Sequence, residues 1–331
     1  MVTKLKIALA QLNPLVGDVI GNTKKLIDVR SKLDEDIDIL VAPELYISGY
    51  PIDDLVLRED FLDLVEKEIN NLAKITADNK SAIIVGAPRK NANSIKNSVF
   101  VIEKGEIISV KDKHELPNTG VFDEQRIFEK GVLENCVKIK GVNFGLPICE
   151  DIWKETVLKK LSQSGAEIII AINASPFTIS KYDERNDVAL SRVKETKLPI
   201  VYLNRTGGQD ELIFDGSSFS LNYDGKKFSS LEEFKEDIST INFEKNNGKW
   251  IGYGNVKENS SQSERLYKAL VLGLRDYVKN NKFSGVVLGL SGGVDSALVA
   301  ALATDAFGSK FVQAIMLPSP YTGEESLKDA K

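Results

Sequence analysis

Cys149 closes the apolar run VNFGLPIC and is followed at once by Glu150 and Asp151. A strand that ends in a turn leading into a helix exposes the residue at its apex, and nearby helix-terminal N–H groups can bind an oxyanion. That setting suits a nucleophilic thiolate; the alternative is a buried cysteine acting as a small hydrophobe. Cys136, in the alternating stretch ENCVKIKG, has no chemical partner nearby in sequence and reads as structural. Glu44 ends another apolar run, DILVAPEL, where a carboxylate facing a cleft can act as a general base, or else be a solvated or helix-capping glutamate. Lys113, in KDKHELP, follows a hairpin and, taken alone, reads as a surface lysine. Two cysteines and one histidine cannot make a four-cysteine zinc site, and no histidine cluster completes one. A Ser-His or Cys-His pair would have to use His114. Acid–base catalysis therefore falls to a carboxylate or a lysine.

A second candidate is GLSGGVDSA (289–297), set between a strand-like and a helix-like segment. Gly289, Leu290, Ser291, Gly292, Gly293, Val294, Asp295 and Ser296 would form a phosphate loop. Gly292 and Gly293 let the backbone approach phosphate, the helix start favours negative charge, and Ser291 and Ser296 add hydroxyl donors. Asp295 could help hold Mg²⁺, a hard cation that prefers oxygen ligands. No Gly-Lys-Ser/Thr follows, so this is not the usual kinase-type loop.

The elements that must position these groups alternate. Strand-like runs at 6–12, 38–45, 81–88, 142–149, 166–175 and 198–204 are separated by helical spacing at 22–33, 60–79, 155–164 and 183–196. Residues 97–113 read as a hairpin turning at Lys104-Gly105, and 217–226 as another. Strands alternating with helices and interrupted by hairpins predict a layered α/β domain with mixed sheets. Residues 246–263, polar and rich in Asn, Gly and Ser, read as a linker between a domain at 1–245 and a second at 264–331. In the second, a helix at 264–281, a strand at 285–290, a helix at 296–307 and a strand at 311–318 make a βαβ unit, the opening of a doubly wound sheet. A doubly wound domain usually takes on the order of 150 residues, so this one is expected to be cut short.

Composition narrows the class. Of 331 residues, 42% are apolar and 27% charged, a globular profile, and the net charge of -5 disfavours nucleic acid as a partner. No run of about 18 apolar residues is present, and Gln11 and Asn13 interrupt the apolar start, so neither a membrane span nor a signal peptide is expected and the cytoplasm is the default location.

Together, IALAQLNPLVGD, PELYISGYP, DKHELPNTGVFDE, GLPICEDIW and NASPF, in that order over residues 1–245, resemble the nitrilase superfamily of carbon–nitrogen hydrolases. The resemblance implies an αββα sandwich, with Glu44 as base, Lys113 as electrostatic stabiliser and Cys149 as nucleophile, assisted by the backbone N–H of Glu150. The segment NRTGGQDELIFDGSSF (204–219) resembles the form of this domain found in the glutamine-dependent NAD synthetase family, and the loop at 289–296, ALVLGLRDYVKNNKFSGVVLGL before it and PSPYT after it resemble the ATP pyrophosphatase domain of that family. The resemblance implies glutamine held by residues 119, 175 and 181. Ser175 and Lys181 suit the amino-acid end of glutamine, whereas Thr119 stands where the family pattern LPNYGVFDE has tyrosine. It further implies ATP and Mg²⁺, ammonia passed to deamido-NAD without mixing with bulk solvent, and a homo-oligomer. The deamido-NAD residues are expected beyond residue 331, and the chain is not expected to complete the synthetase reaction. Two other readings stay open: a free-standing amidase with a vestigial second domain, and a binding or scaffold protein on a disabled glutaminase fold.

Overall fold

The structure is a computed structural model that describes residues 2–92 and 94–331. The chain divides into two compact units: Met1–Thr206 with Phe214–Asn259, and Gly207–Ile213 with Ser260–Lys331.

In the larger unit, β1 (Lys4–Gln11), β2 (Ile39–Val41), β3 (Ala82–Asn91), β4 (Ser94–Glu103) and β5 (Glu106–Asp112) belong to one sheet, and β6 (Val137–Ile139), β7 (Val142–Gly145), β8 (Ile168–Asn173) and β9 (Ile200–Asn204) to another. A short hairpin, β10 (Thr206–Gln209) and β11 (Leu212–Asp215), follows β9, and β12 (Phe219–Leu221), β13 (Lys227–Ser230), β14 (Asp237–Asn246) and β15 (Lys249–Tyr253) complete the two sheets. Among the described residues the first sheet has seven strands in the order β15-β14-β1-β2-β3-β4-β5, and the second has six in the order β13-β12-β9-β8-β7-β6. β1, β2 and β3 are mutually parallel, and antiparallel partners flank them, so both sheets are mixed as the hairpins predict.

The layers follow from side-chain alternation. In β8, Ile168, Ile170 and Ile172 point into a core shared with Leu5, Ile7 and Leu9 of β1 and Val41 and Ile84 of the other sheet. The intervening Ile169 and Ala171 face outward, where Val157, Leu158 and Leu161 of α4 (Glu155–Gln163) and Ala189 and Val193 of α5 (Lys181–Thr196) cover them. On the first sheet α1 (Val19–Ser31) and α2 (Glu59–Ile75) lie outside. Phe61, Leu62, Val65, Ile69 and Leu72 form the buried stripe of α2 at the expected 3.6-residue spacing. A short α3 (Glu124–Ile127) sits in the long connection after β5. The result is helices, sheet, sheet, helices: the αββα sandwich.

Lys104 and Gly105 have φ of 53° and 87°, so the β4–β5 turn is of the type that the Lys-Gly pair predicts. The interval assigned to a linker behaves differently. Lys249–Tyr253 is a strand, paired antiparallel with β14 from Asn242↔Tyr253 to Asn246↔Lys249. Asn247 and Gly248, at φ of 49° and 80°, make its tight turn, and Trp250 is buried in the shared core. The polar look of EKNNGK belongs to that turn and not to a linker.

In the smaller unit α6 (Gln262–Asn280) starts at Ser261, whose hydroxyl accepts from Glu264 N (3.3 Å). β16 (Val286–Gly289), α7 (Val294–Phe307) and β17 (Val312–Ile315) form a parallel βαβ unit, and α8 (Glu324–Asp329) follows. The turn Gly207–Ile213 belongs to this unit: Gly208 N donates to the buried Asp276 carboxylate of α6 (2.8 Å). No helix among the described residues is long and apolar enough to cross a membrane.

Candidate active site

Glu44 stands just beyond β2, where the chain leaves the sheet. Its segment lies so close to β3 that a side chain on Gly86 would meet Leu45 N at 2.4 Å and Glu44 Cα at 2.7 Å, which explains a glycine inside an otherwise β-branched strand. Leu45 itself has φ of 45°, and Gly86 N donates to Pro43 O (3.1 Å). Lys113 leaves the end of β5 with its backbone held at both ends: Lys113 N donates to Asn97 O, and Gly131 N donates to Lys113 O, both at 2.8 Å. Cys149 begins a short 3-10 turn (Cys149–Trp153) after β7 and has φ of 47°, a strained conformation for a side-chain-bearing residue and one often found at functional turns.

These three side chains meet in the interior. Lys113 Nζ donates to Glu44 Oε1 at 2.7 Å, with both side chains fully buried. Glu44 Oε1 also accepts from Asn97 Nδ2 (2.8 Å), and Glu44 Oε2 from Ala174 N (2.8 Å), at the end of β8. Those donors come from β4 and from the residues that follow β5 and β8, so both sheets fix the carboxylate. Cys149 is buried against them. Burial, then the neighbouring Glu44 charge, push its thiol well above the ordinary range, and Lys113 opposes them. The thiol therefore needs a base to become nucleophilic. Burial by itself would lower the Lys113 ammonium, yet Glu124 and Glu44 outweigh it and hold the group well above its ordinary value. A fixed positive charge beside the sulfur is the result.

Glu124 is the residue that sequence reasoning passed over. Its Oε1 accepts from Lys113 Nζ (2.8 Å) and from Tyr50 Oη (3.0 Å), while its Oε2 is buried with no protein partner among the described residues. Burial lifts its carboxyl to about 7, against the pull of Lys113 and with a further push from Glu44. It sits in the stretch DKHELPNTGVFDE, but an acid in the first turn of a short helix carries no local sign of burial. Tyr50 is held from behind by Arg205, which donates to its carbonyl oxygen.

The residues expected to hold glutamine are placed as follows. Glu150, next to the nucleophile, is half-buried. Ser175 is buried, and its Oγ accepts from Arg185 Nε (3.1 Å). Arg185 is in turn paired with Asp215 at 2.7 Å, both fully buried. Lys181 starts α5, with Nζ 3.2 Å from Glu184 and 4.3 Å above the Trp153 ring. Thr119 lies in the exposed turn before α3, where its carbonyl accepts from Phe122 N (3.2 Å).

In the smaller unit the glycine-rich loop does join a strand to a helix. Gly289 ends β16, Leu290 N donates to Ile315 O (2.9 Å), and Val294 opens α7. Ser291 and Ser296 hydroxyls are 3.0 Å apart, Ser291 Oγ accepts from Gly293 N (3.3 Å), and Ser296 Oγ donates to Gly293 O (2.9 Å). Gly292 has φ of 82°, and an added Cβ would lie 2.3 Å from Ser326 O. Asp295 is in the first turn of α7, and no cluster of three or more metal-ligating side chains occurs among the described residues.

Comparison with known proteins finds two family matches along the chain. The carbon-nitrogen hydrolase family model matches residues 6–249, and the NAD synthase family model residues 266–331. The chain is 39% identical over its full length to the glutamine-dependent NAD(+) synthetase of Rhodobacter capsulatus, of which it covers 60%. It is 37% identical over 99% of its length to that of Aquifex aeolicus, of which it covers 63%. The chain thus spans about 60% of the length of the curated relatives it matches. Among solved structures, the glutamine-dependent NAD+ synthetase of Acinetobacter baumannii in complex with ADP superposes with a TM-score of 0.94 at 37% identity, over 99% of this chain and 62% of that one. An amidase from Nesterenkonia sp. AN1 shares the sandwich fold over 71% of this chain and 92% of its own, with a TM-score of 0.63 at 18% identity. Since the hydrolase match runs through well over half of its length, the chain belongs to the carbon-nitrogen hydrolase family.

Proposed function

We propose that this chain carries the glutaminase and the ATP-binding start of a glutamine-dependent NAD synthetase. Glutamine is hydrolysed at Cys149, and the ammonia is transferred to deamido-NAD activated by ATP, giving NAD, AMP and pyrophosphate. The observation that carries this reading is the buried contact of Glu44 with Lys113 beside Cys149, in a chain 39% identical to a named synthetase.

A carboxamide is a poor electrophile, and the raised Cys149 thiol is a poor nucleophile until it loses its proton. Glu44 takes that proton, and Sγ attacks the amide carbon. Negative charge then develops on the carbonyl oxygen, where the Lys113 ammonium and the Glu150 N–H stabilise it, a contribution typically worth a few kcal/mol. The proton held by Glu44 passes to the leaving nitrogen, and ammonia departs from a thioester. Water, deprotonated by Glu44, hydrolyses that thioester to glutamate. His114 has no part, since its Nδ1 is engaged with Gly131 O at 2.7 Å. Glu150, Ser175, Lys181 and the turn bearing Thr119 bind the amino-acid end of the substrate.

In the smaller unit the Gly289–Ser296 loop binds the ATP phosphates. Mg²⁺ commonly uses only one or two protein carboxylates and completes its shell with phosphate and water, so a single Asp295 beside two serine hydroxyls fits a nucleotide-held ion. Bound there, Mg²⁺ would neutralise phosphate charge. We infer a cytoplasmic homo-oligomer from the family.

The test is glutamate release from glutamine by this chain beside Cys149→Ala, with a panel of other amides. Glutamine hydrolysis lost in the variant is the expected result. Turnover of other amides in preference to glutamine would favour a free-standing amidase.

A further inference from the structure

Asp151 is buried beneath the nucleophile turn, and its carboxylate is spent on backbone N–H groups from two separate segments. Oδ1 accepts from His114 N (3.0 Å) and Glu115 N (2.7 Å); Oδ2 accepts from Ile148 N (3.0 Å). His114 and Glu115 are the two residues after Lys113, and Ile148 is the residue before Cys149. One carboxylate group therefore ties the backbone that carries the lysine to the backbone that carries the cysteine. The backbone anchors of Lys113 itself run to β4 and to Gly131, and its side chain to Glu44 and Glu124, none of them on the nucleophile turn.

We propose that Asp151 is a positioning residue that sets the spacing of Lys113 and Cys149, and so the ease with which the Cys149 thiolate forms. A carboxylate suits this role because it has two acceptor oxygens a fixed width apart, each serving one segment. The charged or titratable groups around it are Lys113, whose charge acts on it, His114 and Glu115, whose N–H groups it holds, and Glu150 beside it in sequence. Burial raises its carboxyl to about 6, against the three backbone N–H groups and Lys113, so it is an anion at neutral pH. Removing one acceptor should free the lysine-bearing segment and the cysteine-bearing turn to drift apart.

Asp151→Asn separates the two arms. With its amide oxygen on His114 and Glu115, its NH₂ faces Ile148 N–H, donor against donor, so the cysteine arm opens while shape is kept. The rate of Cys149 alkylation by iodoacetamide reads the thiolate directly and needs no glutamine; in a Cys136→Ser background it reports on Cys149 alone. We expect Asp151→Asn to alkylate about tenfold more slowly at pH 7, with the midpoint of its pH profile moved upward. A purely structural role would change the melting temperature and leave that profile in place. The kinetic arm rests on the glutaminase reading: kcat for glutamine should fall about tenfold with KM within about threefold. Glu115→Pro, which deletes one N–H donor and leaves Asp151 intact, serves if Asp151→Asn does not fold, and should shift the profile in the same direction by less. A parent Cys149 that does not react, or a variant profile superposing on the parent, overturns the proposal. A parent that alkylates normally but hydrolyses no glutamine removes the glutaminase reading and leaves the Asp151 assignment to the alkylation result.

Discussion

Lys113 Nζ bridges two carboxylates, 2.7 Å from Glu44 Oε1 and 2.8 Å from Glu124 Oε1, with all three side chains buried. Two buried acids that near one another could not both be charged without the lysine. Replacing Lys113 by methionine keeps volume but removes the compensation. Breaking one partner of a buried ion pair typically costs about 3–5 kcal/mol. We expect Lys113→Met to melt well below the parent and to release no glutamate from glutamine. Glu44→Gln should lose activity with a smaller change in melting temperature, because Glu124 still compensates Lys113, although the new NH₂ then faces Ala174 N–H. Melting and glutamate release on the three proteins decide it; an active Lys113→Met would remove the lysine from the mechanism.

Glu124 gives a pH dependence with a definite sign. Its carboxyl is raised from 4.5 to about 7 by folding. Between those values the native state binds a proton that the unfolded chain has released, so the contribution of Glu124 to stability is fully present below about pH 4.5 and is lost as pH rises through 7. Glu124→Gln removes the titration. Its stability relative to the parent should therefore improve from pH 5 to pH 8, by on the order of 1–3 kcal/mol. Denaturant unfolding at the two pH values measures it, and a flat difference would sink the assignment.

Thr119 keeps a hydroxyl but has no ring to cover a substrate. Thr119→Tyr installs the ring that the sequence resemblance implies at this position, in a turn that is exposed. The effect belongs to ground-state binding, since nothing places residue 119 at the reacting atoms. We expect KM for glutamine to fall about tenfold with kcat within about twofold, in steady-state glutamate release. An unchanged KM would mean that another group has taken over that contact.

How much of this was legible in the sequence depends on the range of the signal. Glu44 and Cys149 stand where apolar runs stop, a local pattern, and both lie three or four residues beyond a strand, in the same site. Lys113 was visible only through its surrounding motif, since nothing in KDKHELP announces a lysine that ends up fully buried. Glu124, Asn97 and Tyr50 were passed over because their roles are created by tertiary contact: the partner of Glu124 in the ion pair is 11 residues away, and Asn97 reaches Glu44 across 53. The β14–β15 hairpin is a different kind of miss. Asn-Gly is among the strongest short hairpin signals, and Asn247-Gly248 lies between alternating INFEK and KWIGY. Composition makes that polar run look like a linker; its periodicity marks it as a hairpin. Asp151 is visible as an acid beside the cysteine, but its service to the backbone of residues 114, 115 and 148 needs the fold.

The phosphate loop can be tested without reference to the glutaminase. Gly292 holds φ of 82°, and a methyl group there would come within 2.3 Å of Ser326 O, a backbone atom that cannot swing aside like a side chain. Gly292→Ala is therefore strained twice, by conformation and by contact, at a cost of roughly 1–3 kcal/mol for the conformation alone. The strain relaxes by moving the loop, which disturbs the Ser291–Ser296 contact at its mouth. We expect the variant to lose at least about tenfold in ATP affinity by titration calorimetry. Gly323→Ala, outside the loop and with nothing within 4 Å of an added Cβ, should bind nearly as the parent does. Equal ATP binding by the Gly292 variant and the parent would show that the loop's backbone is not what holds the phosphates.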